Sequence, residues 1–163
     1  MNSLDAIFEE LTRIDAAFTD ERGEIANILS GVPVTHIAIC HSLPGTVRGN
    51  HWHPDGTGDQ YMYVIGGRYV AYARDARGGP LSAQVVGPRM LAKCPPGVAH
   101  AYWFVEETVF LNIGTDSRET ERFEEHTRDY TLIDATGRPL DEHGPVRLLV
   151  PTDPPYLFDA RPR

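Results

Sequence analysis

Three histidines carry the chemistry of this sequence: His51 and His53, separated by one residue, and His100, which follows the rigid turn Pro95-Pro96-Gly97. Side chains two apart on a β-strand share a face, so His51 and His53 aim two imidazoles into one volume. Between the pair and the third histidine, Gln60 opens the run Gln60-Tyr61-Met62-Tyr63-Val64-Ile65, which closes at Gly66-Gly67. Two alternating histidines, a polar side chain on the next strand and a third histidine can form a facial metal site inside a β-barrel. Neutral imidazoles suit zinc, iron, nickel, copper or manganese, and the fourth ligand is Gln60 or, if its loop bends inward, Asp59. A neutral Gln60 leaves the ion's charge uncompensated and favours an anionic substrate or a hydroxide.

The same residues also support chemistry without a metal. A histidine in a dry cavity acts as a general base near neutral pH. Proton abstraction beside a carbonyl also needs an acid on the opposite side. Tyr102 stands two residues after His100 and is that acid by strand parity, whereas Tyr61 and Tyr63 face away from Gln60. Arg48, three residues before His51, belongs on the rim, where a guanidinium clamps phosphate or carboxylate. His36, His41, His126 and His143 read as structural or solvated, and Trp52 and Trp103 as packing on the opposite face.

These residues need strands to position them, and the chain supplies them. Val34 to His41, Gly49 to His53, Gln60 to Ile65, Tyr69 to Arg74, Ala83 to Val86, Arg89 to Cys94, Ala99 to Val105 and Thr108 to Ile113 each read as a strand. Turn signals separate them, which indicates an all-β sandwich or jelly-roll barrel in a single domain. Ahead of them, Leu4, Ile7, Phe8, Leu11, Ile14 and Phe18 recur at helical spacing behind Ser3, which predicts an N-terminal amphipathic helix from Ser3 to Phe18. A turn at Asp20 to Gly23 leads to a strand near Glu24 to Leu29. The expected division is 1–19 for the helix, 20–115 for the β-barrel and 116–163 for a charged arm and tail. Within that tail, Ser117 to Tyr130 is a helix or extended arm, and Pro145 to Pro155 a last edge strand or a wrapping segment.

Composition narrows the function classes. The chain has 163 residues, a formal charge of −8 and a pI near 5.3, which disfavours nucleic acid and anionic membrane as partners. Met1 to Asp5 carries no basic region and no apolar core of a signal peptide, and no apolar window reaches the length of a membrane span. Cys40 and Cys94 then read as reduced, buried thiols of a cytoplasmic protein, and the lack of any Cys-x-x-Cys excludes a zinc knuckle.

Two motifs resemble those of the cupin superfamily. Gly45, His51-x-His53, Gln60 and Gly67 are similar to its first motif, and Pro95-x-Gly97-x-x-His100 to its second. Gln60 replaces the usual glutamate, the preceding loop is longer by a residue or two, and Phe104 stands where an asparagine often follows the second motif. The resemblance spans roughly residues 20–115. Arg48-Gly49-Asn50-His51 and Pro96 to Tyr102 look like the sugar-nucleotide epimerases and ketoisomerases, including dehydrorhamnose epimerases and capsular-polysaccharide cupins. The resemblance implies that His51 is the base and Arg48 the phosphate anchor, and that a capsular-type site carries zinc. It also implies a homodimer that exchanges N-terminal elements. The epimerases' later tyrosine is absent from Val109 to Gly114. The expectation is a keto-sugar epimerase or isomerase with a small anionic substrate and no organic cofactor. The alternatives are a metal-dependent oxygenase or lyase using His51, His53, Gln60 and His100, and a non-catalytic binding module.

Overall fold

Runs of alternating or wholly apolar residues, punctuated by glycine and proline, become strands in the computed structural model, which describes residues 11–116 and 125–148. The strands are β1 (Thr12–Arg13), β2 (Phe18–Asp20), β3 (Gly23–Ile25), β4 (His36–Ser42), β5 (Val47–Trp52), β6 (Gln60–Gly66) and β7 (Tyr69–Asp75). They continue with β8 (Ser82–Val86), β9 (Met90–Cys94), β10 (Val98–Phe104), β11 (Thr108–Gly114), β12 (Arg128–Asp129) and β13 (Arg147–Leu148). Among the described residues there is no α-helix, and no helix long and apolar enough to cross a membrane.

Pairing is nested: β7 with β8, β6 with β9, β5 with β10 and β4 with β11, all antiparallel. This is jelly-roll connectivity, and it sorts the strands into two sheets. One runs β1-β9-β6-β11-β4 and the other β12-β5-β10-β7-β8-β13. The expected barrel is thus, among the described residues, a pair of sheets. Their shared core contains Met62, Val64 and Phe110 from the first sheet and Tyr69, Tyr102 and Phe104 from the second. Phe104 is 0% exposed, and burial of such a side chain contributes about 2–3 kcal/mol.

The N-terminal helix is corrected for residues 11–18; its earlier part lies outside the described residues. Thr12 and Arg13 pair with Leu91 and Met90, Ile14 N donates to Arg89 O at 2.7 Å, and Phe18 opens a hairpin with Ile25. A helix would place Leu11 and Ile14 on one face, but an extended chain sends them to opposite sides. Leu11 packs against the inter-sheet core, while Ile14 packs with Tyr61, Leu91 and Ile113 on the outer face. The open edge of β9 offers unpaired backbone groups, and these outcompete the local helical pattern.

The C-terminal segment covers the other sheet. Arg128 and Asp129 pair with Trp52 and His51, Leu132 and Ile133 are fully buried, and Arg147–Leu148 adds a parallel edge to β8. Of the expected arm and tail, residues 117–124 and 149–163 lie outside the described residues.

Candidate functional site

The register of β5 against β10 builds the site. His51 stands opposite His100, and Arg48 opposite Tyr102. In an unbroken strand Arg48 and His51, three apart, would face opposite sides. A β-bulge removes that conflict: Gly49 opposes Ala101, His51 opposes His100, and Asn50 is the extra residue. Both bulge residues have positive φ, 85° at Gly49 and 59° at Asn50. Gly49 also lets the strands approach, since a Cβ there would lie 2.8 Å from His100 O. Arg48 therefore lines the cavity with His51 rather than standing apart from it.

Asn50 is held from outside the sheet. Its Oδ1 accepts from Leu132 N at 2.9 Å and Ile133 N at 3.2 Å, and its Nδ2 donates to Ile133 O at 2.9 Å. Its carbonyl accepts from Tyr130 N at 2.9 Å. These bonds satisfy buried backbone groups and stabilise the left-handed conformation, which asparagine tolerates better than most residues.

The three histidine rings cluster, with centroids 4.6–5.4 Å apart and ligand atoms within 4.8 Å of one another. His53 and His100 are 7% and 0% exposed. His53 Nδ1 donates to His126 O at 2.7 Å, and His100 Nδ1 donates to Val98 O at 3.1 Å, with Cys94 Sγ 3.0 Å away. A carbonyl can only accept, so Nδ1 bears the proton and the neutral ring's lone pair sits on Nε2. Backbone carbonyls orient metal-ligating histidines in this way. Zinc–imidazole bonds of about 2.1 Å keep ligand nitrogens within about 4.2 Å of each other, so the cluster already stands near ligating separation. The donor set fits a divalent ion.

Gln60 comes from the facing sheet and is 8% exposed. Its Nε2 donates to Asn112 Oδ1 at 3.0 Å, and its buried Oε1 has no hydrogen-bond partner. Asp59 is turned to Lys93, with Nζ 3.3 Å from its carboxylate, so Gln60 and not Asp59 lines the cavity. Arg48 sits at the exposed rim, its Nε donating to Ser42 Oγ at 2.8 Å and its terminal nitrogen to His41 O at 3.2 Å. Tyr102 is 6% exposed, with its ring 5.3 Å from that of His100. Below it, burial pushes the Tyr69 phenol far above its ordinary value, with a smaller contribution from Cys94. The half-open cavity measures about 180 Å³ and is lined on its apolar side by Cys40, Met62 and Phe110.

All the expected site residues except Asp59 thus converge, His53 through its place in the imidazole cluster. Asn112, Asn50 and Ser42 had no assigned role. Asn112 carried a readable signal, being a polar residue at the inward parity of an otherwise apolar strand. His41 pairs with Glu107 at 2.7 Å, and His143 bonds Thr131 O at 2.7 Å, both away from the cavity. Trp52 and Trp103 pack on the outer cluster, as parity requires.

A two-sheet jelly roll with histidines converging from β5 and β10 defines the class of protein as a cupin-fold one, and known structures agree. The chain is similar to dTDP-4-dehydrorhamnose 3,5-epimerase from Sulfolobus tokodaii, with a TM-score of 0.58 at 18% identity over 86% of this chain and 90% of that one. It is similar to ChmJ, a 3'-monoepimerase from Streptomyces bikiniensis in complex with dTDP-quinovose (TM-score 0.59, 14% identity, 69% of this chain and 66% of that one). It also matches the capsular polysaccharide assembling protein CapF from Staphylococcus aureus (TM-score 0.53, 18% identity, 74% of this chain), of which it spans 34%. No family profile and no curated protein matches the chain. The chain shares the cupin fold of these proteins; at such identities the likeness is one of fold.

Proposed function

We propose that this protein is an epimerase- or isomerase-like enzyme of a sugar nucleotide or related phosphorylated keto sugar. His51 is the base, Tyr102 the acid candidate, and Arg48 the anion anchor. The observation that carries the reading is the bulged register of β5 on β10, which turns all three into one cavity with His100. His51 takes the proton from the carbon beside the keto group. Tyr102, as the acid on the opposite side, gives its proton to that carbon as the enolate returns to the ketone, which inverts the centre. The His51 imidazolium then loses its proton to solvent and the Tyr102 phenolate regains one from it. Arg48 binds the phosphate at the rim, where charge is tolerated. A cavity of about 180 Å³ is the size of a sugar ring rather than of a whole sugar nucleotide, which supports entry of the sugar end. The fold of the neighbours, among them an enzyme in complex with dTDP-quinovose, supports the substrate class.

The test is solvent exchange. A dTDP-linked 4-keto-6-deoxyhexose is incubated with the protein in heavy water, and deuterium entry beside the carbonyl is followed by NMR. His51→Asn should abolish exchange and Arg48→Ala should raise the substrate concentration needed. Neither exchange nor binding in the wild type would sink the proposal, and binding without exchange would leave the non-catalytic binding reading.

A second reading rests on the Nδ1–carbonyl anchoring of His53 and His100, with His51, His53, His100 and Gln60 holding zinc, iron, nickel or manganese. A divalent ion bound there supplies Lewis acidity toward a carbonyl oxygen. Elemental analysis of untagged protein, beside a His51→Ala/His53→Ala double variant, separates the two: stoichiometric iron, nickel or manganese lost in the variant favours an oxygenase or lyase. Zinc fits the capsular type. A homodimer completes the proposal, supported by the exposed Ile37 and Ile39 on β4 and tested by light scattering.

A further inference from the structure

We infer that Gln60 and Asn112 form an uncharged recognition wall that reads a hydroxyl or keto group of the ligand's buried end. The two amides, from neighbouring strands β6 and β11, are joined through Gln60 Nε2 and Asn112 Oδ1 at 3.0 Å. That bond uses a donor of one amide and the acceptor of the other. What remains toward the cavity is Gln60 Oε1, an acceptor, and Asn112 Nδ2, a donor. Exchanging both amides end for end leaves the same result, one donor and one acceptor side by side. Gln60 Oε1 is buried and has no partner in the protein, and a buried acceptor in that state calls for a ligand donor.

The pairing also says what the ligand is not. The wall carries no formal charge, so a carboxylate or ammonium buried against it would lack a counter-charge from it. Arg48 lies on β5 in the opposite sheet, at the exposed rim. The ligand is therefore polarised: anionic where it meets Arg48, uncharged and hydroxyl- or keto-bearing where it meets Gln60 and Asn112. This rests on the sugar-nucleotide reading and adds which end enters first and what holds it.

The test measures calorimetric binding of dTDP-glucose, dTDP-4-deoxyglucose, dTDP and glucose 1-phosphate to wild type, Gln60→Met and Asn112→Leu. Gln60→Glu keeps the side-chain shape should the apolar variants fail to fold, and turns the wall from donor-plus-acceptor into acceptors alone. The expected result is about a tenfold loss of dTDP-glucose affinity in each variant with dTDP affinity unchanged, as removal of one buried hydrogen bond predicts. Equal dTDP-glucose affinity in wild type and variants overturns the recognition wall and leaves the sugar-nucleotide reading standing. Gln60-dependent binding of glucose 1-phosphate with no affinity for the dTDP probes keeps the wall and overturns the nucleotide. No binding of any hydroxylated probe overturns both.

Discussion

Replacing Asn50 by alanine tests whether the C-terminal segment holds the site strand in its bulged register. The substitution removes three hydrogen bonds, two into Leu132 N and Ile133 N and one from Nδ2 to Ile133 O. At about 1 kcal/mol each this destabilises the fold by about 3 kcal/mol. It also places an alanine at a φ of 59°, which costs a further ~1 kcal/mol. Asn50→Gly loses the same bonds without the steric conflict, so it should be milder than alanine by about 1 kcal/mol. Asn50→Asp retains the acceptor for the two N–H groups and forfeits the bond to Ile133 O, and should be the mildest of the three. Urea unfolding resolves these steps, and the midpoint of thermal unfolding should fall by roughly 8–16 °C for alanine. A loss under 1 kcal/mol for alanine would refute the role given to the segment. Equal losses for alanine and glycine would refute the backbone argument alone.

Two further expectations follow from the same geometry. Gly49→Ala should disturb the site more than the fold's periphery, because its Cβ would meet His100 O at 2.8 Å in a backbone held at positive φ; chemical shifts of the His51 and His100 rings report it. Tyr69→Phe should be neutral or stabilising by about 1 kcal/mol near neutral pH, since the buried Tyr69 hydroxyl has no hydrogen-bond partner. Burial holds the folded phenol far above its ordinary value of 10.0, so that above about pH 10 only the unfolded chain ionises it. The Tyr69 contribution is then full below that pH and falls above it by about 1.4 kcal/mol per pH unit. The phenylalanine variant should therefore lose less stability per pH unit than the wild type by that amount, while the buried Tyr72, also raised, keeps its own share.

Much of the site was legible because strand parity is a local property. His51 and His53 alternate about Trp52, and His100 and Tyr102 alternate about Ala101, so side-chain direction follows from spacing alone. The rim position expected for Arg48 holds, but parity alone does not give it, because counting three residues back from His51 puts the guanidinium on the wrong face. The bulge that corrects it depends on Gly49 meeting Ala101 and on Asn50 bonding to Leu132 and Ile133, partners more than eighty residues away. The same nonlocality defeated the helical pattern at Leu11 and Ile14, which the edge of β9 captured.

Residue types and their spacing by themselves determined the alternation of the strands, the inward direction of the imidazoles and the departure of Gln60 from a carboxylate. These depend on a period of two and on side-chain chemistry, which no partner can change. Only the tertiary structure decided that Gln60 faces Asn112, that His126 and Val98 carbonyls set the histidine tautomers, and that Asp59 turns to Lys93. Apart from the Val98 carbonyl, which lies two residues before His100, each is a contact between segments distant in sequence, and hydrogen-bond complementarity between such segments exists only once the sheets are paired.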